Sequence, residues 1–361
     1  MFKQTMSIVV VAGLVCVMTG SALAAPVVWS GAGGNDLWTN GANWFGGSAP
    51  GSGDTARFDN TATGGRTVNI GAATITNKVE LVTGATGYDF IGAGQLNGQL
   101  DINTSGTNTF SCETRPTNNL GIRGTGTTNI DALFDRQDTI YWGYDTGCTV
   151  NVRSSGELAF NRLRAQGGQS ILNVEAGGGL ITDRYILHLD TTSPDILNVA
   201  GTVQAYGSSG SDYGIRMQND GNRVVIEDGG LVYGYLTLHD DGDGSDSTVD
   251  MEPGAKLALR GGLASVDTLA EFYALTKGNQ GLDGNHFRYG SDATSWTDFS
   301  SMSGSDWYAL TYESNFMGTG QGYSVLQTLA TSTAIPEPAT MCALALAVAG
   351  LGGYVRKRRQ G

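Results

Sequence analysis

Leu172-Asn173-Val174, followed by Gly177 and Leu180, and Leu197-Asn198-Val199, followed by Gly201 and Val203, decide the fold. In an extended chain the two apolar side chains of such a triplet point to one side and the Asn to the other. The glycine then supplies a tight corner, and a second short strand begins. The same phrase occurs upstream as Val150-Asn151-Val152 before Gly156 and Leu158. Downstream it returns as Val224-Val225-Ile226 before Gly229 and Leu231, and as Val249-Asp250-Met251 before Gly254 and Leu257. Asn129-Ile130 is a weaker copy, and Leu100-Asp101-Ile102 before Gly106 reads as the first one. The anchors Ile102, Ile130, Val152, Val174, Val199, Ile226 and Met251 are 22 to 28 residues apart.

One such unit cannot hide its apolar side alone, whereas a stack of units shares a continuous core. The spacing therefore predicts an all-β fold, a single-stranded right-handed parallel β-helix (solenoid). Asn151, Asn173 and Asn198 are expected to lie above one another as a ladder on the side opposite the apolar residues. The alternative is a β-sandwich, whose turns would come every 8–12 residues or so. The longer period favours the solenoid.

Composition agrees. Of 361 residues 55 are Gly, and only 15% are charged, with 34 acidic against 21 basic residues and a net charge of −13. That balance excludes a basic nucleic-acid binder, and the low charge disfavours a helical bundle. Hydrophobic residues at 40% exclude a wholly disordered chain.

Both ends read as addresses. Residues 1–24 have the form of a signal peptide: Lys3, an apolar run from Ile8 to Met18, and Ala22-Leu23-Ala24 before the cleavage point. At the other end stand Ile335-Pro336-Glu337-Pro338, an apolar run from Met341 to Val355, and Arg356-Lys357-Arg358-Arg359. Fifteen helical residues span about 22 Å, short of a bilayer core of about 30 Å, so this transmembrane helix would serve as a transient anchor with its basic end in the cytoplasm. Without Lys3, the four basic tail residues and Glu337, 16 basic and 33 acidic residues remain in 25–335, a net charge of −17. That charge suits a soluble exported body.

This tail resembles the PEP-CTERM sorting signal of Gram-negative bacteria, on Pro336, Glu337, Pro338, the single apolar segment and the cluster Arg356, Lys357, Arg358 and Arg359, in that order. The resemblance covers about the last 26 residues. It implies an exosortase as partner, after signal peptidase, and an exported protein released or attached at the cell surface, with polysaccharide nearby. The opening segment, with Trp29, Trp38 and Trp44, resembles that of autotransporter-type β-helical repeats. No translocator barrel is legible, so no activity follows from that likeness.

The expected organisation is a signal peptide at 1–24, a solenoid over 25–261 with an aromatic N-terminal cap at 25–60, a mixed α/β cap over 262–329, a linker at 330–335 and the sorting tail at 336–361. Within the cap a helix is expected over 265–275, with Ser265 or Asp267 as N-cap, and strands at 308–312 and 323–329. Large aromatics are usually buried, so Trp29, Trp38 and Trp44 read first as a cap. Exposed, they would offer a platform for stacking on sugar rings.

Candidate chemistry is sparse. Asp241, Asp243 and Ser245 stand at positions 1, 3 and 5 of an EF-hand-like loop, and Glu252 at position 12. Position 6, a glycine in such loops, is Asp246, so a Ca²⁺ site would be irregular. His188, His239 and His286 show no metal spacing. Cys112 and Cys148 are candidates for a disulfide in an oxidising compartment. No catalytic residue is assigned. The expected role is a non-enzymatic surface or matrix component associated with polysaccharide. The alternatives are a β-helical polysaccharide lyase or hydrolase, and a calcium-stabilised adhesion module.

Overall fold

The structure, a computed structural model, describes residues 25–118, 120–143, 146–165, 167–182, 187–190, 194–206, 214–218, 221–239, 247–260, 266–276, 285–290 and 295–330. Their strands form two sheets of 19 and 11 strands, parallel except at the C-terminal end. The chain is a β-solenoid. Strands from successive coils pair laterally in register: Thr149–Val152 with Ile171–Val174, that strand with Ile196–Val199, and that one with Arg223–Ile226.

Each coil carries three strands. The 11-stranded sheet supplies one face. The larger sheet is two lateral stacks joined because Leu133–Trp142 and Glu157–Ala165 run unbroken through the corner between them. A register shift between Arg136 and Thr139 absorbs the bend. The second face includes Glu113–Thr114, Gly179–Thr182 and Thr202–Ala205, and the third includes Lys78–Leu81, Leu100–Asn103 and Leu120–Arg123.

Alternation sets what is inside. In the strands around Val152, Val174 and Val199 exposure alternates residue by residue, with these three valines at 0%, 1% and 0%. They occupy adjacent layers of one column. Burying each is worth roughly 1.5–3 kcal/mol, gained only because the coil above and the coil below supply the cover. Nearer the N-terminus the column is aromatic: Phe90 stacks on Phe110 with ring centres 5.1 Å apart.

One repeat was misplaced by the spacing argument. Ile102 belongs to the third face, in line with Ile122. The residue below Ile130 in its own column is Phe110. Thr109-Phe110 holds the same in-and-out pattern without the apolar–Asn–apolar lettering, so the true rung spacing there is shorter.

Both ends of the column are closed. At the start Trp29, Trp38 and Trp44 pack over Phe58. At the far end a short helix, Leu269–Tyr273, buries Phe272. Its N-cap is Thr268, not Ser265 or Asp267: the Thr268 hydroxyl accepts from Glu271 N–H and the Glu271 carboxylate accepts from Thr268 N–H. Helix is a minor part of this end. The strands Tyr308–Glu313 and Tyr323–Thr328 form an antiparallel hairpin that closes the second face against Lys256–Arg260. Thr297–Asp298 does the same for the first face. Reversing strand direction in this way ends the stack and covers the last parallel edge.

Candidate functional site

The first face presents a regular outward column. Asn151 donates to the side-chain oxygen of Asn129 at 2.9 Å, Asn173 to Asn151 at 2.8 Å, and Asn198 to Asn173 at 2.7 Å. Asn129 in turn donates to the Thr109 hydroxyl at 3.3 Å. Strand pairing brings these residues into one line, and a rung spacing of about 4.8 Å lets each amide reach the next. All the donations run the same way along the stack. The expected ladder is present, and it extends one rung further, to Asn129.

The ladder stops at Asn198 because the next residue in line is Val225, which offers neither donor nor acceptor. One rung beyond, Asp250 is fully buried. It accepts from Arg223 at 2.6 and 2.9 Å and from Arg288 at 2.6 and 2.7 Å. Two guanidinium groups thus compensate one buried carboxylate. The Arg288 guanidinium is held more firmly charged than usual, chiefly by its hydrogen bonds to Asp250.

Beside the ladder's end lies an open notch of about 360 Å³, lined by Asn173, Val174, Glu175, Ala176, Asn198, Ala200 and Glu227. Its origin is a change in corner length. The corner Glu175-Ala176-Gly177-Gly178 precedes strand Gly179–Thr182, and Glu227-Asp228-Gly229-Gly230 precedes Leu231–Gly234. The coil between them turns with Ala200-Gly201 alone before Thr202–Ala205. Gly177 and Gly229 have φ of +88° and +75°, which glycine adopts without strain. A Cβ on Gly201 would lie 2.4 Å from the carbonyl oxygens of Glu175 and Gly178, so the short corner requires glycine there. The retracted corner leaves Ala200 between the two longer corners that begin with Glu175 and Glu227. Glu227 titrates above the ordinary carboxylate range, first because it is partly buried and then because Glu252 lies close by.

The other sequence-predicted residues fall elsewhere. Trp29, Trp38 and Trp44 are 0%, 3% and 2% exposed. Edge-to-face contacts link Trp44 to Trp29 at 5.0 Å and to Trp38 at 4.9 Å. The Trp29 and Trp44 indole N–H groups donate to backbone oxygens of Gly65 and Trp38. Their faces are turned into the core, so the sugar-stacking platform is absent.

Cys112 and Cys148 are separate, buried thiols. Cys112 follows Phe110 at one edge of the first face, and Cys148 precedes Thr149 at the opposite edge. Four strand residues span about 13 Å, against about 7 Å at most between bridged Cα atoms. Burial pushes both thiols up to about 12.

Of the calcium loop, Asp241, Asp243, Ser245 and Asp246 lie outside the described residues. Glu252 is half-buried, and its carboxylate accepts from the Asp228 N–H at 3.2 Å. Among the described residues no three His, Cys, Asp or Glu converge as metal ligands. The side chains of His188 and His239 lie outside what the structure describes; their backbones lie in the third face, His188 in line with Arg164 and Arg216 and His239 in line with Gln218. No described helix is long and apolar enough to cross a membrane. Pro336, Glu337, Pro338, Arg356, Lys357, Arg358 and Arg359 lie outside the described residues.

For those last residues the sequence itself decides. Residues 334–359 match the model of the PEP-CTERM protein-sorting motif, which takes in both the Pro336-Glu337-Pro338 triplet and the basic cluster. The chain carries a PEP-CTERM sorting motif. The PEP-CTERM motif makes this an exported, surface-directed protein whose sorting depends on an exosortase. The body that the PEP-CTERM tail delivers is the β-solenoid. No curated protein and no solved structure matches the chain.

Two features escaped the sequence reading. The Asp250 clamp joins residues from three coils, and Arg288 comes after the cap has begun. The Glu175–Ala200–Glu227 line depends on lateral register between corners of unequal length. The short spacing from Val199 to Thr202 was the one legible sign of it.

Proposed function

We propose that the solenoid is a non-catalytic surface or matrix component that lies along extracellular polysaccharide. In this reading the chain is exported across a Gram-negative envelope after signal-peptide removal and is held transiently in the membrane by its tail before release. The observation that carries the polysaccharide assignment is the unbroken hydrogen-bonded line from Thr109 through Asn129, Asn151 and Asn173 to Asn198, whose last three amides are partly exposed. Asn129 is buried, whereas Asn151, Asn173 and Asn198 are partly exposed, and each of these three spends one donor on its neighbour and keeps further hydrogen-bonding capacity toward solvent. A straight, uncharged, hydrogen-bonding track is matched by an extended polymer of hydroxyl groups. The negative charge of the remaining surface keeps the body soluble and away from anionic membranes.

The test is co-sedimentation of the exported full-length product with the insoluble polysaccharide of the producing cells, beside a variant with Asn151 and Asn173 both replaced by Asp. Retention of the parent and loss of the variant, with both folded by circular dichroism, supports the reading. Equal retention removes the ladder from it. Steady release of new reducing ends from the polysaccharide would replace it with the hydrolase alternative.

A further inference from the structure

We infer that the notch over Ala200 is a binding subsite for a single neutral sugar unit, selective against uronic acids. This rests on the polysaccharide reading and narrows it to one place and one class of ligand.

The shape comes from the corners. The Ala200-Gly201 turn is cut back between two longer ones, so the surface is recessed for one rung. The hollow is about 360 Å³, within the range of roughly 300–1,000 Å³ of small-molecule sites. Neighbouring corners protrude on either side and form its walls.

The chemistry of the lining is unequal. Glu175 and Glu227 line it from the corners one rung to either side of Ala200. Asn198 donates to Asn173 and has Val225 on its other side, so its side-chain oxygen receives no ladder hydrogen bond. The second N–H of Asn198 and that of Asn173 are the side-chain donors that the ladder leaves at this point. Acceptors therefore dominate, and among the described residues no cationic side chain lines the notch. Such a lining suits a ligand rich in O–H donors. It disfavours one that carries a carboxylate, which would meet two like charges in a chain of net charge −13. A divalent cation fits less well. It needs six to eight oxygens at about 2.3–2.6 Å, whereas these two glutamates stand two rungs apart, about 9.6 Å along the stack. They straddle the space more readily than they converge on a point. The apolar floor formed by Ala200 and the Val174 edge suits the C–H face of a sugar ring.

The experiment is binding of the exported full-length product to an array of immobilised neutral and uronate-bearing oligosaccharides, repeated in millimolar Ca²⁺. Two variants accompany it: Ala200→Leu, which fills the notch, and Thr107→Leu, on the same face but away from it. Circular dichroism confirms that both fold. Neutral glycans should bind and uronates should not, Ala200→Leu should weaken binding at least tenfold, and Thr107→Leu should leave it unchanged. If Ala200→Leu binds the same glycans as well as the parent does, the subsite is wrong while the polysaccharide reading stands. If no array member binds the parent, the subsite falls, and the co-sedimentation result alone decides the broader reading. Preference for uronates, or binding only with Ca²⁺, also overturns it.

Discussion

Asn173 donates to Asn151 across 22 residues of sequence and one rung of structure, at 2.8 Å. It also accepts from Asn198 at 2.7 Å. A single side chain therefore links three successive coils on the outside of the solenoid, while Val174 beside it links the same coils on the inside. Register is held from both sides of the sheet.

Asn173→Ala should therefore cost more than an ordinary surface substitution. It leaves the Asn151 oxygen and the Asn198 N–H without their ladder partners, at a net cost of about 1–2 kcal/mol. Urea denaturation at fixed m-value reads the change. A shift no larger than that of Thr107→Ala, at an exposed site on the same face, would mean that water replaces the ladder without penalty.

The clamp at Asp250 predicts a sharper loss. Asp250 side-chain exposure is 0%, and the arginines that hold it are 29% and 25% exposed. Asp250→Ala strands two guanidinium groups and should destabilise by about 3 kcal/mol or more, as breaking a buried pair does. Asp101→Ala removes a partner of Arg123 at 3.6 Å, where both side chains are over a third exposed. It should cost less than about 1 kcal/mol. Thermal melts of the two variants side by side check the ordering.

The fold was legible because one face repeats a pattern that only stacking explains. Inward apolar residues and outward Asn at 150–152, 172–174 and 197–199 reveal both the side that is buried and the period. The pattern became unreliable where chemistry changed but geometry did not. Leu100-Asp101-Ile102 has the right letters and sits on another face; Thr109-Phe110 has other letters and sits in the column. The notch was illegible for a related reason. Glu175, Ala200 and Glu227 become neighbours only once the lateral register is known, and no local signal pairs a glutamate with an alanine 25 residues on. The tail was fully legible, because a sorting motif is read as a linear string.

The thiols give a third prediction. Cys112 and Cys148 are buried, and burial holds both far above the range in which a thiolate forms at neutral pH. An aromatic disulfide reagent at pH 7.5 should react with neither in the folded protein and with both in denaturant. Non-reducing electrophoresis should show no mobility change on reduction. Protection from the reagent that persists in denaturant until a reductant is added would reveal a bond between them.

Glu227 gives a pH dependence of defined sign. Burial and the nearby Glu252 raise its folded-state titration above that of an unfolded glutamate. Such a group favours the folded state at low pH, and this contribution is lost as pH rises through the raised value. Glu227→Gln should therefore raise the melting point slightly at pH 7, by about 1 °C, the scale of a surface change below about 0.5 kcal/mol. The gain should disappear below the usual carboxylate range, where the parent is also uncharged there. Melting curves of both proteins from pH 3 to 8 check it. A gain that grows on acidification would contradict the cause given.

The most direct test of the account is the distance along the outward column that starts at Thr107. Successive coils place Thr127, Thr149, Ile171 and Ile196 in line with it. Spin labels at Thr107 and Ile171, and then at Thr107 and Ile196, should report about 14 Å and about 19 Å before allowance for the label arms, an increase of one rung spacing. Pulsed and continuous-wave electron paramagnetic resonance can read both. A separation that fails to grow from the first pair to the second would contradict the stack, and with it the ladder and the notch.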